Sequence, residues 1–119
     1  MQITQALHAA IVVSNLEKSQ HFYSTVLGLP KVERTLNFPG IWYQVGNFQI
    51  HLILAAIIIP DAVDYDKLGR NRHLAFSVTN LEAAKEQLIA HNCPIQMSAS
   101  GRSALFTQDP DGNIIELSE

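Results

Sequence analysis

Cysteine and charge are both scarce in this sequence. Cys93 is the only cysteine and cannot form an internal disulfide, so the chain is no disulfide-stabilised scaffold and a reducing compartment is permitted. Charged residues make up only 16% of the 119 residues, and the net charge is -3. Because lysine and arginine are scattered, no basic patch for nucleic acid or an anionic membrane is expected. We therefore expect a small-molecule partner.

Long apolar segments are missing as well. The longest apolar run, Leu52 to Ile59, has eight residues, which is too short to span a bilayer. The start of the chain, MQITQALHAA, lacks the basic residues and the extended apolar core of a secretory signal. We therefore expect a cytoplasmic protein without a membrane segment. A hydrophobic fraction of 47% is ordinary for one compact domain.

One pattern occurs twice in the chain. The segment LHAAIVVSNLEKSQ, Leu7 to Gln20, is repeated as RHLAFSVTNLEAAK, Arg72 to Lys85, at an offset of 65 residues. Six of ten positions are identical when His73 is laid over His8. Such self-similarity indicates a duplicated structural unit. A duplicated site should then carry its functional residues at matched positions.

The first repeat, residues 1–59, predicts the order βαβββ. Ile3 to Val13 is rich in Ile, Val and Ala and is typical of a strand buried on both faces. Ser14 and Glu17 fit a capping box at the start of a helix, which is predicted to end at Gly28. Three short strands are expected next: Lys31 to Thr35, Ile41 to Val45 and Phe48 to Leu54.

The second repeat, residues 72–119, predicts the same order. A strand from His73 to Val78 leads into a T-x-x-E box, Thr79 to Glu82, that starts a helix. Three further strands are expected: Ile95 to Ser98, Ala104 to Gln108 and Asn113 to Leu117. Residues 60–71 are predicted to connect the repeats.

These elements predict an α+β fold in a single domain over residues 1–119. Neither half is large enough to bury much core alone. We therefore expect the curved mixed sheets of the two βαβββ repeats to pair into an open barrel or cup.

Four polar residues fall at matched positions in the two repeats. His8 and His51 are 43 residues apart, as are His73 and Glu116, so Glu116 is the counterpart of His51. Strand alternation places His51 and Glu116 opposite their apolar neighbours, on the concave side of the sheet if the apolar rows face the helices. Three imidazoles and a carboxylate suit a divalent first-row transition metal. The sequence therefore predicts a metal site with these four ligands, and Ni, Co, Zn, Mn and Fe all fit.

Other residues are candidates for contact with a substrate. Arg102 precedes a predicted strand and is placed to hold a carboxylate or phosphate in a bidentate grip. Trp42, Tyr43 and Phe106 would line the same cup in a metal-free protein that binds an aromatic or amphipathic ligand. These four residues are therefore the predicted substrate contacts.

The chain resembles the vicinal oxygen chelate superfamily, which includes glyoxalase I, the fosfomycin and bleomycin resistance proteins, extradiol dioxygenases and methylmalonyl-CoA epimerase. The resemblance covers essentially the whole chain and is carried by the paired βαβββ units, by HAAIVVSNLEKSQHFYSTVLGLP and by LFTQDPDGNIIELSE. It implies metal ligands from the first and last strands of each unit, at His8, His51, His73 and Glu116. It also implies a metal that two neighbouring substrate oxygens chelate and that stabilises an oxyanion or enediolate.

The resemblance implies a metal-dependent lyase or isomerase of the glyoxalase I type, in which Glu116 is both ligand and proton shuttle. Glyoxalase I proteins usually carry Glu at the position of His51. The set His8, His73 and Glu116 also resembles the triad of extradiol dioxygenases and fosfomycin transferases. Two alternatives therefore stay open: a dioxygenase or resistance-type transferase, and a metal-free binding protein of the bleomycin-resistance type.

A homodimer is also expected, because two small open sheets with exposed edges gain burial by pairing. The metal site is then predicted between subunits, with His8 and His51 from one chain and His73 and Glu116 from the other. The twelve-residue connector, residues 60–71, also permits pairing within one chain.

Overall fold

Each half of the chain forms a small α+β unit. The computed structural model describes residues 1–119, and these divide into two compact units, Met1–Ile58 and Ile59–Glu119. The predicted connector, residues 60–71, therefore belongs to the second unit. No helix in either unit is long and apolar enough to cross a membrane.

The first unit contains a four-stranded mixed sheet and one helical segment. Its strands are β1 (His8–Val13), β2 (Lys31–Val32), β3 (Gly40–Val45) and β4 (Phe48–Leu54). They lie in the order β1-β4-β3-β2, with β1 parallel to β4 and the other pairs antiparallel. Helix α1 (Leu16–Gln20) continues into a π-helical segment, His21–Val26.

The second unit repeats this topology. Its strands are β5 (Leu74–Ser77), β6 (Gln96–Met97), β7 (Ala104–Gln108) and β8 (Ile114–Ser118). They lie in the order β5-β8-β7-β6, and β5 is parallel to β8. The unit also contains helix α2 (Leu81–Ala90) and a 3-10 turn, Leu68–Arg70. The predicted α+β class with two βαβββ repeats is confirmed.

The two sheets agree in register as well as in strand order. Ala10 pairs with His51 across β1 and β4, and Ala75 pairs with Glu116 across β5 and β8. Both members of the second pair lie 65 residues after those of the first. His51 and Glu116 therefore occupy the same position in their sheets.

Alternation along the strands gives the first sheet a buried face and a more open one. In β4, Ile50 and Leu52 are fully buried, whereas His51 between them is partly exposed. Tyr43 pairs with Ile50 and bonds through its hydroxyl to Ser24 Oγ of the helical segment at 2.9 Å. The helical segment therefore covers the Ile50 face, and His51 points to the opposite face.

Strand β1 is shorter and less buried than predicted. It begins at His8, and the residues before it, Met1 to Leu7, form no strand and are exposed. Ile11 is buried while Val12 is 41% exposed. Because β1 lies at the edge of its sheet and one side faces the core, only alternate residues are covered. The prediction of a strand buried on both faces was wrong.

Both helices begin one residue later than the predicted capping boxes. Asn15 caps α1 by accepting a bond from Lys18 N at 3.0 Å, and Asn80 caps α2 by accepting one from Ala83 N at 3.0 Å. Asparagine is as good an N-cap as serine and better than threonine, which explains the shift.

The cap assignment predicts different effects for two neighbouring substitutions. Asn80→Ala removes the acceptor for the Ala83 N–H and is expected to lower the free energy of unfolding by about 1 kcal/mol. Thr79→Ala, at the exposed position that the T-x-x-E box had favoured, is expected to change it by less than about 0.5 kcal/mol. Urea denaturation of the two variants and the wild type measures both values. The reverse order of effects would show that Thr79 is the cap.

Candidate functional site

His73 and Glu116 form a hydrogen-bonded pair in the second unit. Glu116 lies in the middle of β8 and is 6% exposed. Its Oε2 atom lies 3.1 Å from Nε2 of His73, the residue directly before β5. The parallel pairing of β5 with β8 therefore brings together two residues that are 43 positions apart.

The Glu116 carboxylate has two further partners. Its Oε1 atom accepts bonds from Arg102 Nη2 at 2.8 Å and from Ser118 Oγ at 3.2 Å. Burial by itself raises the pKa of Glu116, but the bonds from Arg102, His73 and Ser118 outweigh it, so the pKa is lowered from its ordinary value. Glu116 is therefore held as a carboxylate at neutral pH.

The bonds of His73 restrict where its ring protons lie. Nδ1 lies 2.7 Å from the carbonyl oxygen of Asn71, which only accepts, so Nδ1 carries a proton. Nε2 faces a carboxylate oxygen, which also only accepts. With its one proton on Nδ1, a neutral ring has a lone pair on Nε2, so a proton between Nε2 and Oε2 or a cation bound by both atoms would fit this contact.

The geometry of this pair is compatible with a metal ion. Ligand atoms about 2.1 Å from a metal and at right angles to each other lie about 3 Å apart. The Nε2 to Oε2 distance of 3.1 Å agrees with that value. An imidazole whose Nδ1–H is bound to a carbonyl is also the arrangement that orients histidine ligands in metal sites. His73 and Glu116 therefore fit a divalent metal by chemistry and by spacing.

His8 and His51 form the corresponding pair in the first unit. Their rings are stacked, with centroids 4.1 Å apart and planes inclined by 11°. Trp42 on β3 stacks on His51 from the other neighbouring strand at 4.2 Å. Burial, followed by the charges of His8 and Arg34, lowers the pKa of His51. His51 is therefore held as a neutral ring between two other rings.

Two glutamines extend the polar face around His51. Gln49 Oε1 lies 2.8 Å from His51 Nε2, and Gln49 Nε2 donates to Gln44 Oε1 at 2.9 Å. Gln44 Nε2 in turn donates to the carbonyl oxygens of Gly46 at 2.7 Å and Phe48 at 3.3 Å. The sequence signal was available, because Gln49 lies two residues before His51 on the same strand face.

The four predicted metal ligands thus form one pair in each unit. No group of three or more His, Cys, Asp or Glu side chains arranged to hold a metal ion is present in the chain.

An open cleft of about 380 Å³ lies within the second unit. His73, Arg102, Phe106 and Glu116 are among the residues that line it. Phe106 lies edge-on to the His73 ring, with centroids 5.4 Å apart. A Cβ atom on Gly69 would lie 2.6 Å from the Phe106 ring, so glycine permits the 3-10 turn to approach the cleft wall. The volume suits a small-molecule ligand.

The predicted substrate contacts are distributed unequally. Arg102 and Phe106 line the cleft, and Trp42 lies on the His51 face of the first unit. Tyr43 has no exposed surface and is bonded to Ser24 on the helix-covered face. Neighbouring strand residues point to opposite faces, so Tyr43 cannot share a face with Trp42. The prediction of Tyr43 as a substrate contact is therefore corrected.

Comparison with known proteins identifies a family that covers most of this chain. Residues 5–117 match the profile of the Glyoxalase/Bleomycin resistance protein/Dioxygenase superfamily. The chain belongs to this superfamily. A lactoylglutathione lyase from Salmonella typhimurium is 30% identical over 123 residues, which cover 95% of this chain and 90% of that protein.

Two further superfamily proteins show the same likeness. The human mitochondrial methylmalonyl-CoA epimerase is 25% identical, with 94% of this chain and 72% of the epimerase covered. The crystal structure of a glyoxalase family protein from Enterococcus faecalis superimposes with a TM-score of 0.75 and 25% identity over 100% of both chains. The family resemblance expected from the sequence is confirmed.

The contact between Arg102 and Glu116 predicts a pH-dependent stability difference. Because the pKa of Glu116 is lowered on folding, the ionised group stabilises the fold above its unfolded pKa, and this stabilisation is lost as the pH falls through the folded pKa. In metal-free protein, Arg102→Met should therefore lower the free energy of unfolding by up to about 1 kcal/mol near about pH 7 and by less near about pH 3.

Arg102→Lys is the matched control, since it keeps the charge and should retain part of the effect. Urea denaturation at both pH values measures the difference. An equal loss at both values would mean that Arg102 acts through packing and not through its charge.

Proposed function

We propose that this chain is a metal-dependent, glyoxalase-like enzyme of lyase or isomerase type that moves a proton on a small molecule with neighbouring oxygen atoms. The observation that carries the proposal is the His73–Glu116 pair on the wall of the second unit's cleft, at a separation of 3.1 Å. The likeness to a lactoylglutathione lyase and to a methylmalonyl-CoA epimerase supports this class of reaction.

The proposed ligands of a divalent first-row transition metal (Ni, Co, Zn, Mn or Fe) are His8, His51, His73 and Glu116. Their donor atoms suit such an ion, and the equal register of His51 and Glu116 in their sheets supports a common role. When bound, the ion would act as a Lewis acid that stabilises negative charge on a substrate oxygen. The backbone carbonyl of Asn71 would keep the His73 ring oriented through its bond of 2.7 Å.

Glu116 is the proposed proton carrier. It is buried on the cleft wall and is kept ionised partly by Arg102. If Arg102 turned to a carboxylate or phosphate of the substrate while Glu116 was released from the metal, Glu116 would lose both cations and burial would raise its pKa. A carboxylate with a raised pKa is a stronger base for a proton on carbon next to a carbonyl.

The remaining cleft residues are proposed to bind the substrate. Phe106 offers an apolar wall, and Arg102, with its side chain 58% exposed, is free to reach a substrate anion. Lys67 and Arg70 line the same cleft and outweigh the negative charge of Asp66 beside them. On the first unit, Trp42 is the corresponding candidate. The cleft therefore favours an anionic small molecule.

A second candidate is a metal-free binding protein that uses the same cleft. The observation that favours it is the Arg102–Glu116 ion pair at 2.8 Å, because the buried carboxylate is then compensated without a metal. Metal content separates the two candidates.

Two substitutions at Glu116 test the enzymatic proposal. Glu116→Gln keeps an oxygen ligand but cannot take up a proton, so the variant is expected to bind metal and to lose about 10²- to 10⁴-fold in turnover. Glu116→Ala is expected to lose both metal and turnover. The measurements are elemental analysis of untagged, reconstituted protein and rates on hemithioacetals, catechols and fosfomycin. His21→Ala, in the exposed part of the π-helical segment, is the control.

Either of two results would contradict the enzymatic proposal. Wild-type protein that retains less than about a tenth of an equivalent of every metal would support the metal-free binding protein instead. Full turnover of metal-loaded Glu116→Gln would exclude Glu116 as the proton carrier.

We also propose a homodimer with metal sites shared between subunits, His8 and His51 coming from one chain and His73 and Glu116 from the other. Mixing His8→Ala with Glu116→Ala protein tests this arrangement. In a heterodimer with shared sites, one site carries both substitutions and the other carries neither. Metal binding should therefore return in the mixture although each variant alone binds little.

The mixing experiment needs proof that subunits exchange, for example by mass spectrometry of differently labelled chains. His8→Ala mixed with His51→Ala is the control, because these two residues would come from the same subunit and no site would be restored. Verified exchange without recovery of metal in the first mixture would mean that each chain builds its own site.

A further inference from the structure

The hydrogen bonds of Gln44 and Gln49 have only one consistent direction. Backbone carbonyls only accept, so the Gln44 atom that contacts the carbonyl oxygens of Gly46 and Phe48 is its amide nitrogen. The Gln44 oxygen is then left to accept from the Gln49 nitrogen at 2.9 Å. The Gln49 oxygen therefore faces His51, where it can only accept.

This direction determines which nitrogen of His51 carries the proton. Nε2 lies 2.8 Å from the Gln49 oxygen and must donate an N–H. A neutral imidazole has a single N–H, so Nδ1 holds the only lone pair that can bind a cation. In the second unit the order is reversed, because Nδ1 of His73 donates to the Asn71 carbonyl and Nε2 faces Glu116.

We infer that Gln44 and Gln49 are positioning residues that hold His51 in the Nε2–H tautomer, so that His51 would bind a metal through Nδ1. The tautomer assignment stands on the hydrogen bonds alone, whereas the ligand atom rests on the proposed function. Stacking of His8 and Trp42 on the two sides of His51, at 4.1 and 4.2 Å, fixes the plane of the ring. The two glutamines then determine which ring nitrogen of His51 carries the proton.

The second unit supports this assignment, because an isoleucine stands there at the place of Gln49. Gln49 pairs with Gln44 across the β3–β4 hairpin, and Ile114 pairs with Gln108 at the equivalent place in the β7–β8 hairpin. Glu116, unlike His51, is a carboxylate with no tautomer to select. The amide pair thus occurs beside the imidazole and is absent beside the carboxylate.

Nitrogen NMR of the metal-free protein tests the inference. Two-bond ¹H–¹⁵N correlation spectra distinguish a protonated ring nitrogen from an unprotonated one, and the His51 signals are identified by their loss in His51→Ala. At about pH 8, where an ordinary imidazole is neutral, wild-type His51 is expected to show a protonated Nε2 and an unprotonated Nδ1. A protonated Nδ1 would overturn the inference.

Substitutions test whether Gln49 selects the His51 tautomer and whether Gln44 acts on His51 through Gln49. Gln49→Leu should move both His51 nitrogens toward the averaged shifts of a tautomer mixture, and Gln44→Leu should do so partly although Gln49 is present. Gln49→Glu keeps an acceptor oxygen and should keep the Nε2–H form. Gln20→Leu, at an exposed position at the end of α1, is the matched control. Unchanged His51 shifts in folded Gln49→Leu protein would overturn the role of Gln49.

Zinc tests the ligand atom separately. Addition of Zn²⁺ should shift Nδ1 of His51 and leave Nε2 protonated, and Gln49→Leu should weaken zinc binding by about 10- to 100-fold. Loss of the Nε2 proton on zinc binding would overturn binding through Nδ1. If the wild type binds no zinc, nickel, cobalt, manganese or iron, the proposed function and the ligand atom both fail, while the tautomer measured without metal still decides the role of the glutamines.

Discussion

The parallel pairing of the first strand with the last strand is the constraint on which each unit depends. This pairing sets Ala10 beside His51 and Ala75 beside Glu116. Because side chains alternate, a slip of one residue in β4 would turn His51 to the helix-covered face and expose its apolar neighbours. Each buried Ile or Leu side chain contributes roughly 1.5–3 kcal/mol, so the apolar row makes such a slip costly. The core thereby fixes where the polar residues point.

The two units use this common framework for different electrostatics. In the second unit the buried Glu116 carboxylate is charged, Arg102 compensates it at 2.8 Å, and His73 Nε2 lies 3.1 Å from it. In the first unit His51 is neutral, stacked between two rings, and bonded to an amide. A buried charge needs a counter-charge, whereas a neutral imidazole needs only a partner for its single N–H. Glu116 therefore has Arg102 as its partner, whereas His51, at the same position of the first sheet, has Gln49.

Much of the framework was predictable because its signals are local. The repeat gave the βαβββ order, the boundaries of β4 and β7 agree with the predicted ones, and alternation put His51 and Glu116 on the correct face. Alternation also predicts that Tyr43 points away from the face of Trp42, which agrees with its cross-strand pairing with Ile50. The ion pair of Arg102 with Glu116 was not predictable, because it depends on the path of an exposed loop and not on any periodicity. The Asn71 carbonyl that orients His73 is a backbone group, which every residue type has, so the sequence could not predict this bond.

If Glu116 binds a metal and the cleft binds an anion, as proposed, Arg102 would link the two binding events. Its guanidinium bonds to Glu116 Oε1 at 2.8 Å, on a carboxylate that a metal would also need. A metal at Glu116 makes the arginine charge redundant there, and an anion that draws Arg102 away leaves a buried carboxylate in need of another cation. Each event would therefore lower the free-energy cost of the other, and by linkage the effect would be equal in both directions. On the proposed function, the exposed arginine beside a buried carboxylate is therefore the place where metal affinity and substrate charge would become coupled.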